Sequence, residues 1–176
     1  MSKAIKQQIL ISGLGGQGVL FITSLLAEAA INKGLPVFTS DFKVGDFSSP
    51  LIRPFQADGL LILKDENITQ HGFFLKKEGW AVVNSSNDTN RVKISPTNVI
   101  DADRLAQEIS NPKSVNLIVL GFALFRADQN TKDKINLFCS LTDIKKVLRK
   151  RFNSRKKLLG ASLLALETGY RQIVRG

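Results

Sequence analysis

Apolar and polar residues fall in blocks along this chain rather than alternating singly. Gln8 to Ser12 (QILIS) is a short apolar run bounded by glycine, the pattern of a buried strand. Gly13 to Gly18 follow as a glycine-rich turn. From Val19 to Lys33 the apolar positions Val19, Ile22, Leu26, Ala29 and Ala30 recur at helical spacing. Gly34 supplies the stop and Pro36 blocks continuation. Val37 to Ser40 reads as a second strand. This strand–turn–helix–strand order predicts a parallel sheet with right-handed crossovers.

Asp41 to Asp58 is irregular, with Gly45, Ser48, Ser49 and Pro50. Gly59 to Lys64 predicts a third strand, and Trp80 to Asn84 (WAVVN) a fourth. Between them Asn67 to Leu75 reads as a short helix, closed by Gly79. Ser85 to Asn90 is a polar loop. Val92 to Ile94 and Val99 to Ile100 are short β-like pieces, and Asp101 to Ile109 is helical. The run VNLIVLGFALF (Val115 to Phe125) suits a strand by propensity and a helix by length. Asn111-Pro112, a cap and first-turn pair, leans it toward helix. Thr142 is placed as the cap of a helix running to Phe152, with Asp143 at its favourable end and Ile144, Val147, Leu148 and Phe152 on its apolar face. A last helix spans Arg155 to Gln172, with Leu159, Leu163, Leu166 and Tyr170 on one face. The expected class is α/β: a three-layer α/β/α Rossmann-like domain with a mostly parallel central sheet, one domain over residues 1–176.

Composition narrows the chemistry. At 43% hydrophobic the chain can build a buried core, yet no run of eighteen apolar residues predicts a membrane span. The start, MSKAIKQQILISG, runs straight into the glycine turn without a cleavage site, so the reading is no signal peptide and a cytoplasmic protein. One cysteine (Cys139) and one histidine (His71) exclude an internal disulfide, an iron–sulfur cluster held by this chain and a His/Cys zinc site. His71 stands beside a glycine and reads as a loop or helix-end residue. No catalytic residue is nominated, and no metal site.

The net charge of +10 points to acidic partners. Eight basic residues lie between Lys145 and Lys157: Lys145, Lys146, Arg149, Lys150, Arg151, Arg155, Lys156 and Lys157. They read first as a solvated helix face, then as a phosphate contact or a docking site for an acidic subunit. Nucleic acid is not expected, because Phe152 falls on the apolar side and no nucleic-acid module is present. Asp101 and Asp103 flank a helix start, where capping is the simpler role. Asp41 and Asp46 sit in the irregular loop, where either could face a ligand, and Ser48-Ser49-Pro50 has turn chemistry.

The glycine turn is the clearest candidate. Gly13-Leu14-Gly15-Gly16-Gln17-Gly18 satisfies G-x-G-x-x-G between a strand and a helix. Glycines permit positive φ and close approach of a ligand to the backbone, and the helix start offers free N–H groups to an anion. Gly13, Gly15, Gly16, Gln17 and Gly18 are therefore the candidate cofactor-binding residues. The plain alternative is a tight turn that binds nothing. A stand-alone NAD or NADP module would also want an acid after the second strand, near Asp41. Gly16 and Gln17 are unusual for that fingerprint, and no second domain is present to hold a substrate.

The ordered motifs resemble a known family. ISGLGGQGVLFITSLLAEAAINKG resembles the opening of the gamma subunits of 2-oxoacid:ferredoxin oxidoreductases, including the beta subunit of indolepyruvate oxidoreductase. Gly15-Gly16-Gln17-Gly18 looks like the family hallmark, and Leu26 to Ala30 continues it. VGDFSSPLI (Val44 to Ile52), Ala57-Asp58, WAVVNSS, Asp101-Ala102, Asn116 to Gly121 and Ala165 to Gly169 resemble later landmarks, in the same order. Ser162 stands where that family often has asparagine.

The resemblance implies a complex that oxidatively decarboxylates 2-oxoacids to acyl-coenzyme A and passes electrons to ferredoxin. It implies thiamine diphosphate and iron–sulfur clusters on other subunits. It places this chain on the coenzyme A side without redox chemistry of its own, and it implies no membrane. Substrates of the pyruvate, 2-oxoglutarate, branched-chain and aryl types all fit, with a lean to indolepyruvate from VGDFSSPLI. One departure stands out. The family's H-G-(x)n-R-G-G segment after the second strand is absent, because Ser40 runs directly into Asp41-Phe42-Lys43.

Overall fold

The computed structural model describes residues 6–40, 52–86, 97–129 and 135–172. Four strands make one sheet in the order β1-β2-β3-β4, all parallel: β1 Ile9–Ser12, β2 Ala57–Ile62, β3 Leu75–Asn84 and β4 Thr97–Ile100. Their apolar runs are continuous because both faces are covered. Ile9, Ile11, Leu61, Trp80 and Val82 face α1 (Val19–Asn32), α3 (Ala102–Glu108), α4 (Val115–Asp128), α5 (Leu141–Arg151) and α6 (Lys156–Tyr170). Leu10, Leu60, Ile62, Ala81 and Val83 face a thinner layer built from Phe74, Leu75, Ile52 and Ile68. Ile68 begins α2 (Ile68–His71), which is continued on both sides by 3-10 turns. This is the α/β fold with a parallel sheet that the sequence predicts.

The second strand is corrected. Val37–Ser40 has no strand structure, and Phe38 is 92% exposed. The place beside β1 goes to β2, where Ile9 pairs with Gly59 and Ser12 with Ile62. VFTS offers a single apolar pair to the core, whereas ADGLLI offers an unbroken buried run. Gly59 also lets Trp80 lie across the sheet: a Cβ there would come within 2.2 Å of the indole. Asp41, Asp46, Ser48, Ser49 and the predicted Val92–Ile94 strand lie outside the described residues.

The helices follow local rules. Gly34 (φ 70) ends α1, with Gly34 N–H donating to Ile31 and Leu35 N–H to Ala30, the signature of a glycine C-terminus. The ambiguous run from Val115 is helical, fully buried from Val115 to Leu124. The α5 cap is Ser140 rather than Thr142. Ser140 Oγ accepts from Asp143 N–H while the Asp143 carboxylate accepts from Ser140 N–H at 2.9 Å, a reciprocal pair that Thr142 cannot make. The predicted α6 face packs on the core: Leu166 is buried and Leu159, Leu163 and Tyr170 are partly buried against it, while the deepest positions are Ser162, Ala165, Leu166 and Gly169. Small residues choose that deepest line. A Cβ on Gly121 would sit 2.0 Å from the Leu166 carbonyl oxygen, and one on Gly169 would sit 1.9 Å from that of Ile118. Thus α4 and α6 touch backbone to backbone. No helix among the described residues is long and apolar enough to cross a membrane.

Candidate functional site

β1 delivers the chain to the glycine turn at the carboxyl end of the sheet, where ligands of parallel α/β folds usually bind. The turn closes with Gln17 N–H donating to the Leu14 carbonyl at 3.1 Å. Gly16 (φ 84) and Gly18 (φ 77) adopt the left-handed backbone that glycine allows. Gly18 has a second reason, since a Cβ would strike Asn116 Nδ2 at 2.1 Å. Gly13 packs under Gln17, Val19 and Leu63. Gly15 differs: a Cβ there meets nothing within 4 Å, and its φ is not in the left-handed range. The fold does not require glycine at Gly15, and a side chain there would point into open space.

Gly15 lines a crevice of about 1060 Å³ between the turn, α1, the Leu35–Ser40 segment and α2. The first helical bond of α1 runs from Ile22 N–H to the Gly18 carbonyl, so the amides of Val19, Leu20 and Phe21 have no partner within the helix. No acidic residue stands in that first turn to neutralise its positive end. Leu14 N–H donates to Gln17 Oε1 at 2.6 Å. Leu20, Leu35, Val37 and Phe38 make the opposite wall apolar. Four of the five candidate residues, Gly13, Gly15, Gly16 and Gly18, line the crevice; Gln17 does not, and instead braces the turn through the Leu14 amide.

Sequence reasoning missed three residues in the crevice wall. Ser12 Oγ lies 2.8 Å from His71 Nδ1, and Asn67 Nδ2 donates to Ser12 Oγ at 2.9 Å. All three are buried. Burial lowers the His71 pKa, and its hydrogen bond with the Asn67 backbone opposes this only in part, so the ring is neutral at pH 7. His71 ends α2, as its position beside glycine predicts, but it also forms part of a network lining the crevice. Ser12 is 55 and 59 residues from its partners, and only its place at the end of a strand marked it.

Other polar groups serve the fold. Asn84 donates to the Leu63 carbonyl and to Asp103, and accepts from Ala102 N–H. Asp101 caps α3 by accepting from Arg104 N–H at 3.0 Å. Asp58 accepts from Gln8 N–H and pairs with Lys76. Burial pushes the Cys139 thiol up to about 12, with Asp143 adding to the effect, so no thiolate is available there. The basic run divides. Lys145 pairs with Glu167, and Arg151 with Glu28 and Ser24. Lys146, Arg149, Lys150, Arg155, Lys156 and Lys157 are exposed and make no ion pair among the described residues.

With Val37–Ser40 outside the sheet, the NAD or NADP reading loses the strand end that would present an acid to a ribose.

Comparisons with known proteins agree on a family. The sequence model of "Pyruvate ferredoxin/flavodoxin oxidoreductase" matches residues 8–172. The chain is 22% identical to the indolepyruvate oxidoreductase subunit IorB of Archaeoglobus fulgidus, covering 98% of each. That alignment runs over 206 positions, more than the 176 residues here, so the relative carries residues this chain lacks. The fold is similar to the keto/oxoacid ferredoxin oxidoreductase gamma subunit of Geobacter sulfurreducens, with TM-score 0.67 and 21% identity over 94% of this chain and 96% of that one. It is also similar to part of a 2-oxoglutarate:ferredoxin oxidoreductase of Magnetococcus marinus, solved with 2-oxoglutarate, coenzyme A and succinyl-CoA. There the TM-score is 0.68 at 17% identity, over 98% of this chain and 32% of that one.

Proposed function

Since the chain belongs to the pyruvate ferredoxin/flavodoxin oxidoreductase family, we propose that it is the small subunit of a thiamine-diphosphate-dependent 2-oxoacid:ferredoxin oxidoreductase. In that complex it forms the coenzyme A side of the active site, while other subunits carry out decarboxylation and electron transfer. It is one domain of a cytoplasmic assembly whose electrons go to ferredoxin.

The glycine-turn crevice carries this reading. Its helix start suits a phosphate group: three backbone amides lack helical partners and the first turn of α1 holds no carboxylate, Glu66 of the crevice lining standing on the α2 side. Its apolar wall suits an extended uncharged arm. Coenzyme A has both parts, and when bound it supplies the thiol that accepts the acyl group. Gly15 and Gly16 keep the approach open, Gly18 lets Asn116 brace the turn, and Ser12, Asn67 and His71 offer a neutral hydrogen-bonding wall. The residues do not fit the other two groups. A single buried cysteine cannot hold an iron–sulfur cluster, and no thiamine motif (G-D-G…N) occurs in the chain. Those cofactors belong to the thiamine-binding and iron–sulfur-carrying partners. A 2-oxoacid of the indolepyruvate type is the favoured substrate.

The test uses Gly15→Trp in the assembled complex. The backbone tolerates the change and the indole occupies the crevice, so KM for coenzyme A rises about tenfold or more while kcat changes less. Calorimetry of the variant chain with coenzyme A shows the same loss. An unchanged KM refutes the assignment of the crevice. Turnover of any 2-oxoacid by the purified chain alone refutes the subunit role.

A further inference from the structure

Far along the chain from the glycine turn, a second groove of about 640 Å³ runs between the Ile109–Asn111 turn and the first half of α6. We propose that it docks an acidic amphipathic helix of a partner subunit. This rests on the reading of the chain as one subunit of a complex.

The floor is apolar. Ile109, Leu158, Ala161 and Leu164 line it, and Leu158 and Leu164 are 43% and 52% exposed. Arg155, Lys156 and Lys157 rim one end, and none of them makes an ion pair among the described residues. The contrast with Lys145 and Arg151 is informative, because those two are tied to Glu167 and Glu28. Among the described residues no carboxylate neutralises the cations at the groove, in a chain that carries +10.

Gly160 is exposed on α6 but does not line the groove. A Cβ there would meet nothing within 4 Å, so this chain gives no packing reason for a glycine inside a helix. The far wall is held by Ser110 in a positive-φ conformation (φ 53), with Asn111 N–H donating to the Ala106 carbonyl at 2.8 Å. Apolar floor plus cationic rim fits a helix with leucine-like residues on one face and carboxylates beside them. A nucleic acid would look for aromatic stacking platforms, and none lines the groove. A small phosphate would leave Leu158, Ala161 and Leu164 in water.

The experiment starts from the native complex, purified through a tag on this chain and treated with nuclease. Zero-length carbodiimide cross-linking should join Lys156 and Lys157 to Asp or Glu residues of one partner segment with apolar residues at helical spacing. Amine labelling of both lysines should fall about tenfold against the free chain, while Lys146 and Lys150 stay reactive. The double variant Lys156→Glu, Lys157→Glu should lose the partner, and so should Leu164→Asp with an unchanged circular dichroism spectrum. The same charge change at Lys146 and Lys150 should keep it. Equal labelling of Lys156 and Lys157 in complex and free chain overturns docking at this groove. So does equal weakening by both double variants, or loss of the partner on nuclease treatment. A chain recovered alone overturns the subunit reading and this proposal together.

Discussion

Two glycines of one helix should respond to the same substitution with opposite sign. At Gly160 an added methyl enters open space, so Gly160→Ala gains the helix propensity of alanine, about 0.5–1 kcal/mol. At Gly169 the methyl would lie 1.9 Å from the Ile118 carbonyl oxygen. Ordinary contact begins at 3.4 Å, so α4 and α6 must part by more than an ångström, or the helices must bend. A gap of that size forfeits a quarter to a half of each dispersion contact along the seam. The obstacle is backbone, which has no rotamer to yield, so the cost belongs at the upper end of the overpacking range, about 3 kcal/mol. For a domain of this length, 1 kcal/mol moves Tm by about 2–4 °C. Gly169→Ala should thus melt about 6–12 °C below the parent chain, and Gly160→Ala about 1–4 °C above it. Thermal and urea unfolding followed at 222 nm decide the matter, with m-values compared to confirm two-state behaviour. A Gly169→Ala chain as stable as the parent would refute the backbone contact between α4 and α6.

Three further outcomes follow from the buried groups. The His71 pKa is lowered in the fold, so folding favours the neutral ring. Its contribution is complete above the unfolded value of 6.5 and is lost as pH falls below it toward the folded value, a loss that should vanish in His71→Gln. Cys139, with its thiol near 12, should react with a disulfide reagent at pH 8 only when the chain unfolds; prompt native-state labelling would contradict its burial. Asn84→Leu removes three hydrogen bonds and strands the Ala102 amide, which should cost about 2–4 kcal/mol in urea unfolding; a loss under 1 kcal/mol would mean the network is dispensable.

What the sequence reveals here is what local chemistry decides. β1, the glycine turn and α1 are legible because a short apolar run, a glycine cluster and a 3.6-residue period occur in unbroken order. Gly34 announces the end of its helix because only a residue tolerant of positive φ suits that place. Val37–Ser40 departs from its strand pattern for the converse reason. Its propensity is that of a strand, but a place in the sheet goes to the segment that pairs best with β1, and that competitor begins at Ala57. The periodicity found the core-facing side of α6 through Leu159, Leu163, Leu166 and Tyr170, but not its deepest line of small residues. Leucines mark where a helix can bury area, while Gly121 and Gly169 mark where two backbones meet, and the backbones won. The glycine side of the crevice was visible from its motif. The Ser12–Asn67–His71 wall was not, since α2 reaches β1 only through the crossover that precedes β2 and the turn that follows it.

The Leu14 amide already has an occupant, the carbonyl oxygen of Gln17 at 2.6 Å. A ligand oxygen that takes this amide must evict an amide oxygen of nearly equal strength, so the trade contributes little net affinity. An anion at the turn would therefore draw its affinity from the free amides at the start of α1, and a longer ligand from the apolar wall as well, with the Leu14 amide held back by its side-chain plug.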